Sequence, residues 1–282
     1  MNKNEYLDSP DVRNFINWFA KAIVDEGIAH SYLQLKPKKY FRFNGLQDAL
    51  AQYYWKRRNF TSTVNLLNEL KAQIRNGWGN SSYTDVVTGA QRLMKWGGTE
   101  GNNKWFEQAS SIESIKSDIH SLEGENICLV KISRFNSGLT KFYSLLLNDF
   151  IIYDSRVAAA LQWFILKWCT ETDQKEIPNL LNLGSTSLRG SQTRNASSAQ
   201  YVFQKIERLV LSKQPIEHVN SNIKANLLLV EVLKEVKANK SAYHEQKLSS
   251  PLHALEAALF MWGYDLTESM PNSKNWKLTF NG

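Results

Sequence analysis

The sequence predicts an all-α protein, and three observations carry that expectation. Apolar residues recur at helical spacing in long stretches, such as Val64, Leu66, Leu67, Leu70 and Ile74, or Val157, Leu161, Phe164, Ile165 and Trp168. The connections between these stretches are short and rich in turn formers. Almost no segment alternates convincingly enough to read as a strand. The 282 residues, 43% of them hydrophobic, can bury a large core. The expected organisation is a single helical domain over 1–282, or two packed helical lobes flanking a cleft.

Composition narrows the class. Lys and Arg outnumber Asp and Glu by 34 to 27, a formal charge of +7, which suits a polyanionic partner but supports nucleic-acid binding only weakly by itself. The two cysteines, Cys128 and Cys169, lie far apart in apolar runs. They form neither a zinc nor an iron–sulfur pattern, so they are expected to be core thiols in a reducing cytoplasm, with no metal, no metal cluster and no cofactor. The N-terminus, MNKNEYLDSPDVRNF, lacks an apolar signal core, and no run approaches the roughly 18 apolar residues that span a bilayer. The expectation is a soluble cytoplasmic protein without a membrane partner.

Taken in order, Ser9-Pro10-Asp11 opens the first helix, with Phe15, Trp18, Phe19, Ala22 and Ile23 as its apolar face and Gly27 as its end. Residues Lys36 to Phe43 mix cations with aromatics, which reads as a loop with a solvated basic face or as a phosphate or base contact. Leu46 to Tyr54 begins a helix, followed by Trp55-Lys56-Arg57-Arg58. A long helix carries Val64 to Ile74, and Asn76 to Asn80 reads as a loop. Tyr83 to Met94 is the next helix, ended by Trp96-Gly97-Gly98-Thr99. Its glycines supply a left-handed cap or let backbone approach DNA. Glycines and asparagines through Asn103 form an irregular loop able to reach into DNA. Trp105–Ser110 and Ile112–Leu122 read as helices. Glu125 to Ser133 has an undecided period, helix or strand.

Beyond Trp168, the stretch Leu183 to Asn195 is the most polar and turn-rich, with Arg189 and Arg194 among hydroxyls and glycines. It reads either as a DNA-contacting loop, since arginine forks and hydroxyls bind phosphate, or as a surface connection. Ala199–Ser212, Val219–Lys237 and Pro251–Trp262 read as the remaining helices, and the tail Asn275–Phe280 as a short strand or irregular cap.

One stretch concentrates the chemistry: SGLTKFYSLLLNDFIIYDSRV, from Ser137 to Val157. A turn containing Gly138 leads into Thr140-Lys141 at a helix start. Asp154 sits where an N-cap belongs for the helix that follows. This arrangement resembles the helix-hairpin-helix DNA glycosylases of the 8-oxoguanine glycosylase type, and more closely the compact bacterial proteins of that fold, some of which act against phages. The WGG helix ending and the closing PLHALEAALFMWGYDL are further similarities to the bacterial branch. The chain departs from the usual hairpin in having one glycine, Gly138, where two normally flank an apolar residue.

The resemblance implies a helix-hairpin-helix and catalytic segment over 126–154, with Glu125–Ser133 as the hairpin's first helix. It implies a catalytic pair, Lys141 as nucleophile and Asp154 as its carboxylate partner. Ser137, Gly138 and Thr140 would touch the DNA backbone in the turn, and Arg156, Arg189 and Arg194 are further DNA-binding candidates, with a structural salt bridge as the other role for Arg156. Trp96, Phe260 and Trp262 are candidates for the base pocket, with core packing as the alternative for the aromatic face of the last helix. The implied partner is double-stranded DNA carrying a damaged or modified base. A lysine amine can attack the sugar carbon bearing the base only when neutral, so its pKa must fall below the free value of about 10.4. The aspartate would stabilise positive charge developing on the sugar. The rival expectation is a non-catalytic helix-hairpin-helix module that grips the backbone.

Overall fold

The computed structural model describes residues 1–24, 27–35, 38–127, 130–186, 193–206, 215–238 and 250–270. It is mostly helical. The helices are α1 (Lys3–Leu7), α2 (Pro10–Ala22), α3 (Leu46–Ala51), α4 (Phe60–Gly79), α5 (Tyr83–Gly97), α6 (Asn103–Phe106), α7 (Ala109–Glu123), α8 (Leu139–Leu146), α9 (Ser155–Glu171), α10 (Pro215–Ala238) and α11 (Pro251–Trp262). Two small sheets accompany them: β1 (Ala29–Leu35) antiparallel to β2 (Lys38–Asn44), and β3 (Ser185–Thr186) parallel to β4 (Lys205–Ile206).

Several sequence expectations are corrected. The described part of the cation-aromatic stretch, from Lys38, is strand β2 paired with β1, because His30, Tyr32, Phe41 and Phe43 alternate inward and leave Tyr40 and Arg42 outside. The expected loop at Asn76–Asn80 is the last turn of α4, whose Gly77 lets Asp85 and Val86 of α5 come close. The loop through Asn103 is instead a 3₁₀ turn, Glu100–Asn102, running into α6. Most consequentially, the described part of Glu125–Ser133 forms no α-helix. Its amides bond to side chains of α7: Lys131 N donates to Ser121 Oγ and Ser133 N to Asp118 Oδ1. Val130 and Ile132 face inward with Lys131 and Ser133 outward, a period of two. The described part of Ala199–Ser212 is not helical either, since Phe203 N and Gln204 N donate to Ser197 Oγ and Asn182 Oδ1. Arg189, Cys128 and the tail Asn275–Phe280 lie outside the described residues.

The chain forms two compact units. The first comprises Met1–Lys3, Tyr54–Tyr153 and Leu209–Asn226. Its core is built where α4, α5 and α8 meet, with Leu70, Ile74, Leu93, Met94 and Phe142 fully buried. Gly89 makes this approach possible, as a Cβ there would stand 2.6 Å from Ile74 Cγ1. The second unit comprises Asn4–Tyr53, Asp154–Arg208 and Leu227–Gly282. Its centre is α9, buried on every side from Arg156 to Cys169 as befits a helix without a polar face. Trp163 and Phe164 of α9 pack against Trp262 of α11 at 5.3 Å between ring centroids, and Phe19 of α2 meets Phe164 at 4.8 Å. At Gly263 a Cβ would collide with the Arg156 carbonyl, so only glycine lets the end of α11 close on α9.

Candidate catalytic lysine and its surroundings

Helix α8 is eight residues long and clamped at both ends within the first unit. Ahead of it, Asn136 Oδ1 accepts from Gly138 N (2.8 Å) and Leu139 N (3.1 Å), and Asn136 Nδ2 donates to Asn102 Oδ1 (2.9 Å). This side-chain turn supplies acceptors for the first amides of the helix. At the far end, Arg75 Nε and Nη2 donate to the carbonyls of Leu145 (3.0 Å) and Leu146 (2.8 Å). Helix ends leave carbonyls unpaired, and a guanidinium suits both their hydrogen bonding and their negative partial charge.

Lys141 lies in the first turn of α8 and is only 5% exposed. Its stem runs over Gly97, the last residue of α5: a Cβ at Gly97 would stand 2.5 Å from Lys141 Cδ and 2.8 Å from Cε. Its amine folds back toward the helix start and donates to the Ser137 carbonyl at 2.6 Å. The turn residues before it are occupied by protein. Gly138 is buried, and a Cβ there would collide with Asn102 Nδ2, so close packing requires the glycine. Thr140 is fully buried; its hydroxyl donates to Asn222 Oδ1 (2.6 Å) and accepts from Tyr153 N (2.9 Å). Gly138 and Thr140 are thus both held by the protein's own framework, one through close packing and the other through its hydroxyl. Ser137 is half-buried, and its carbonyl holds the lysine.

The residue preceding Lys141 is thus hydrogen-bonded to the residue preceding Asp154, inside one unit. The segment between them is held from α10 by a polar stripe, His218, Asn222 and Asn226, spaced four residues apart on one helix face. His218 Nε2 lies 3.1 Å from the Tyr153 carbonyl, and Asn226 Oδ1 accepts from Ile151 N at 2.8 Å. All three are buried. Behind α8, Tyr143 OH donates to Asp118 Oδ2 at 2.7 Å. Burial pushes the Asp118 carboxyl up, while Tyr143 and Ser133 hold it down. Arg75, Asn136 and the α10 stripe have no counterpart in the sequence reading, which takes Gly97 only as part of a helix ending and Asn102 only as part of a loop. A four-residue spacing of polar side chains along an otherwise apolar helix was the one available signal.

Asp154 opens the second unit as the N-cap of α9, its Oδ1 accepting from Arg156 N (2.9 Å) and Val157 N (3.2 Å), as its position predicts. Arg156 is 9% exposed, with its guanidinium 4.2 Å from the Phe260 ring centroid and 4.6 Å from that of Tyr264. Arg194 donates to Ser155 Oγ (2.7 Å) and to the Tyr264 carbonyl (2.9 Å). Burial, and then the neighbouring Arg194, bring the Arg156 guanidinium down to about 10. Arg194 is also lowered by burial, with Asp154 the foremost opposing influence. Both arginines are built into the second unit around aromatic rings.

Of the three base-pocket candidates, Phe260 lies under the Arg156 guanidinium, and Trp262 is fully buried among His30, Phe43, Trp163 and Phe164. Trp96, half-buried next to Gly97, keeps an indole Nε1 without a hydrogen-bond partner among the described residues. No group of three or more metal-ligating side chains occurs, and no helix is long and apolar enough to cross a membrane, among the described residues. Comparison with protein-family models, curated proteins and solved structures gives no match to this chain.

Proposed function

We infer that the protein is a DNA glycosylase of the helix-hairpin-helix kind, which flips a damaged or modified base out of duplex DNA and breaks its glycosidic bond. The observation that carries this reading is the enclosure of Lys141. Its amine is fixed to one carbonyl at the start of α8, its stem runs over a glycine, and the residue before it is bonded to the residue before Asp154. A surface lysine at a helix start needs none of this. If α7 takes the place of Glu125–Ser133 as the helix ahead of the turn, the hairpin is longer and looser than the resemblance implies.

In the proposed reaction the neutral Lys141 amine attacks the sugar carbon bearing the base. The carbon–nitrogen bond to the base breaks, and the base leaves with its electron pair and takes up a proton. The lysine nitrogen gives up its proton as the sugar ring opens to a Schiff base, which permits strand cleavage beside the lost base. Asp154 contributes negative charge as positive charge builds on the sugar. The substrate is an 8-oxoguanine-type lesion or a phage-modified base such as glucosylated hydroxymethylcytosine.

Borohydride trapping tests this with labelled duplexes carrying 8-oxoguanine, an abasic site or a glucosylated cytosine. Wild type should form a covalent complex that Lys141→Gln abolishes, with DNA affinity kept within about threefold. Base release without trapping would reduce Lys141 to a supporting charge. Tight binding with neither release nor trapping on any duplex would leave a non-catalytic DNA-binding module.

A further inference from the structure

We propose that the turn Trp55–Arg58 docks the sugar–phosphate backbone of duplex DNA, with Arg57 and Arg58 as its phosphate ligands. The inference rests on the DNA-directed reading above but stands on different residues. Trp55 and Arg58 exchange backbone hydrogen bonds at 3.0 and 2.9 Å, and the two residues between them, Lys56 and Arg57, have φ of 48° and 66°. This is the signature of a two-residue type I′ turn, a place for Asn-Gly because side chains are disfavoured at positive φ. Two long cations stand there instead. Backbone held in a sparsely populated region by its surroundings is a pointer to a function.

The surroundings are stiff. Trp55 Nε1 donates to the Trp96 carbonyl at 3.0 Å, and Lys56 Nζ donates to the Lys95 carbonyl at 2.5 Å, so the turn is fastened to the last turn of α5. Lys56 is thereby used up structurally. Arg57 and Arg58 are exposed, and among the described residues neither guanidinium makes a hydrogen bond or ion pair. Arg13, Arg75, Arg92 and Arg194, by contrast, all bond within the protein. The sequence from Ala49 to Asn68 holds no Asp or Glu to quench the charge. Trp96, the anchor of the turn, is followed by Gly97, over which Lys141 lies. Two free guanidinium forks on a pre-ordered turn, whose anchor Trp96 directly precedes the lysine's packing partner in sequence, suit the phosphates of the strand that delivers the base.

The test measures affinity for an unmodified duplex as salt is raised from ~50 to ~200 mM. Arg57→Gly should lower the slope of log affinity against log salt by about one, and Arg57→Gly/Arg58→Gln by about two. Glycine relieves the turn, so Arg57→Gly should melt at or above the wild-type temperature, which separates lost binding from lost fold. An unchanged slope and affinity in the double variant would overturn the proposal, whatever other acidic partner the turn then bound. The two readings fail separately. A reduced slope without borohydride trapping keeps the docking turn and removes the glycosylase; trapping with an unchanged slope does the reverse.

Discussion

Gly97 shows how much of the candidate site depends on a side chain that is absent. A Cβ at that position would clash with the far carbons of Lys141, which are flexible and can swing aside, and would meet Thr99 Oγ1 at 3.4 Å, an ordinary contact. Alanine also suits a helix better than glycine, by about 0.5–1 kcal/mol. Gly97→Ala should therefore leave the melting temperature within a few degrees of wild type while displacing the amine from Ser137 and cutting base release at least tenfold. Unchanged release at unchanged stability would show that the lysine's path over the glycine is incidental. The sequence exposed Lys141 through its place after a glycine turn, but it could not expose Gly97. The WGG motif reads as a helix ending, and Gly98 does close α5 in the left-handed region. That its neighbour makes room for a lysine 44 residues further on is a tertiary fact with no local trace.

Among the elements, α9 separates two roles for one carboxylate. Asp154 caps the helix through Oδ1, a task an amide oxygen performs equally well. Asp154→Asn should melt like wild type and lose base release, whereas Asp154→Ala should lose about 1 kcal/mol of stability as well. Full activity in the Asn variant would leave the aspartate as a cap and nothing more. The cap, the bounds of α11 and most of α2, α5 and α10 were legible because they rest on local chemistry and a 3.6-residue period. The stretch at Glu125–Ser133 was misread for the opposite reason. Its amides bond to Ser121 and Asp118, side chains of the preceding helix, and a short apolar run does not reveal which partner its backbone will find. The pairing of β2 with β1 was hidden similarly: Lys38 and Lys39 read as a solvated loop, although Phe41 and Phe43 already alternate inward.

For the whole molecule, the clearest pH effect comes from His30, buried on β1 and stacked on Trp262 at 4.8 Å. Burial lowers its pKa from 6.5 to about 4, against smaller opposing effects of the Trp262 backbone and Asp265. Between those values the unfolded chain binds a proton that the folded protein does not, so stability rises with pH and is lost as pH falls from 6.5 toward 4. The loss attributable to this group is about 3 kcal/mol. His30→Phe keeps a ring in the stack, and its melting temperature should fall less steeply over that interval than wild type's. Parallel curves would place the acid sensitivity elsewhere.

Neither compact unit is one continuous piece of chain. The first takes its inner wall from His218, Asn222 and Asn226, which follow Tyr153 by more than sixty residues of sequence. During synthesis, Thr140 and Ile151 emerge long before the amides that will bond them. The wall around the lysine's segment is consequently complete only once α10 has been made. A chain halted anywhere before Asn226 leaves the ribosome with that wall missing, so the surroundings of Lys141 stay open until α10 has been translated.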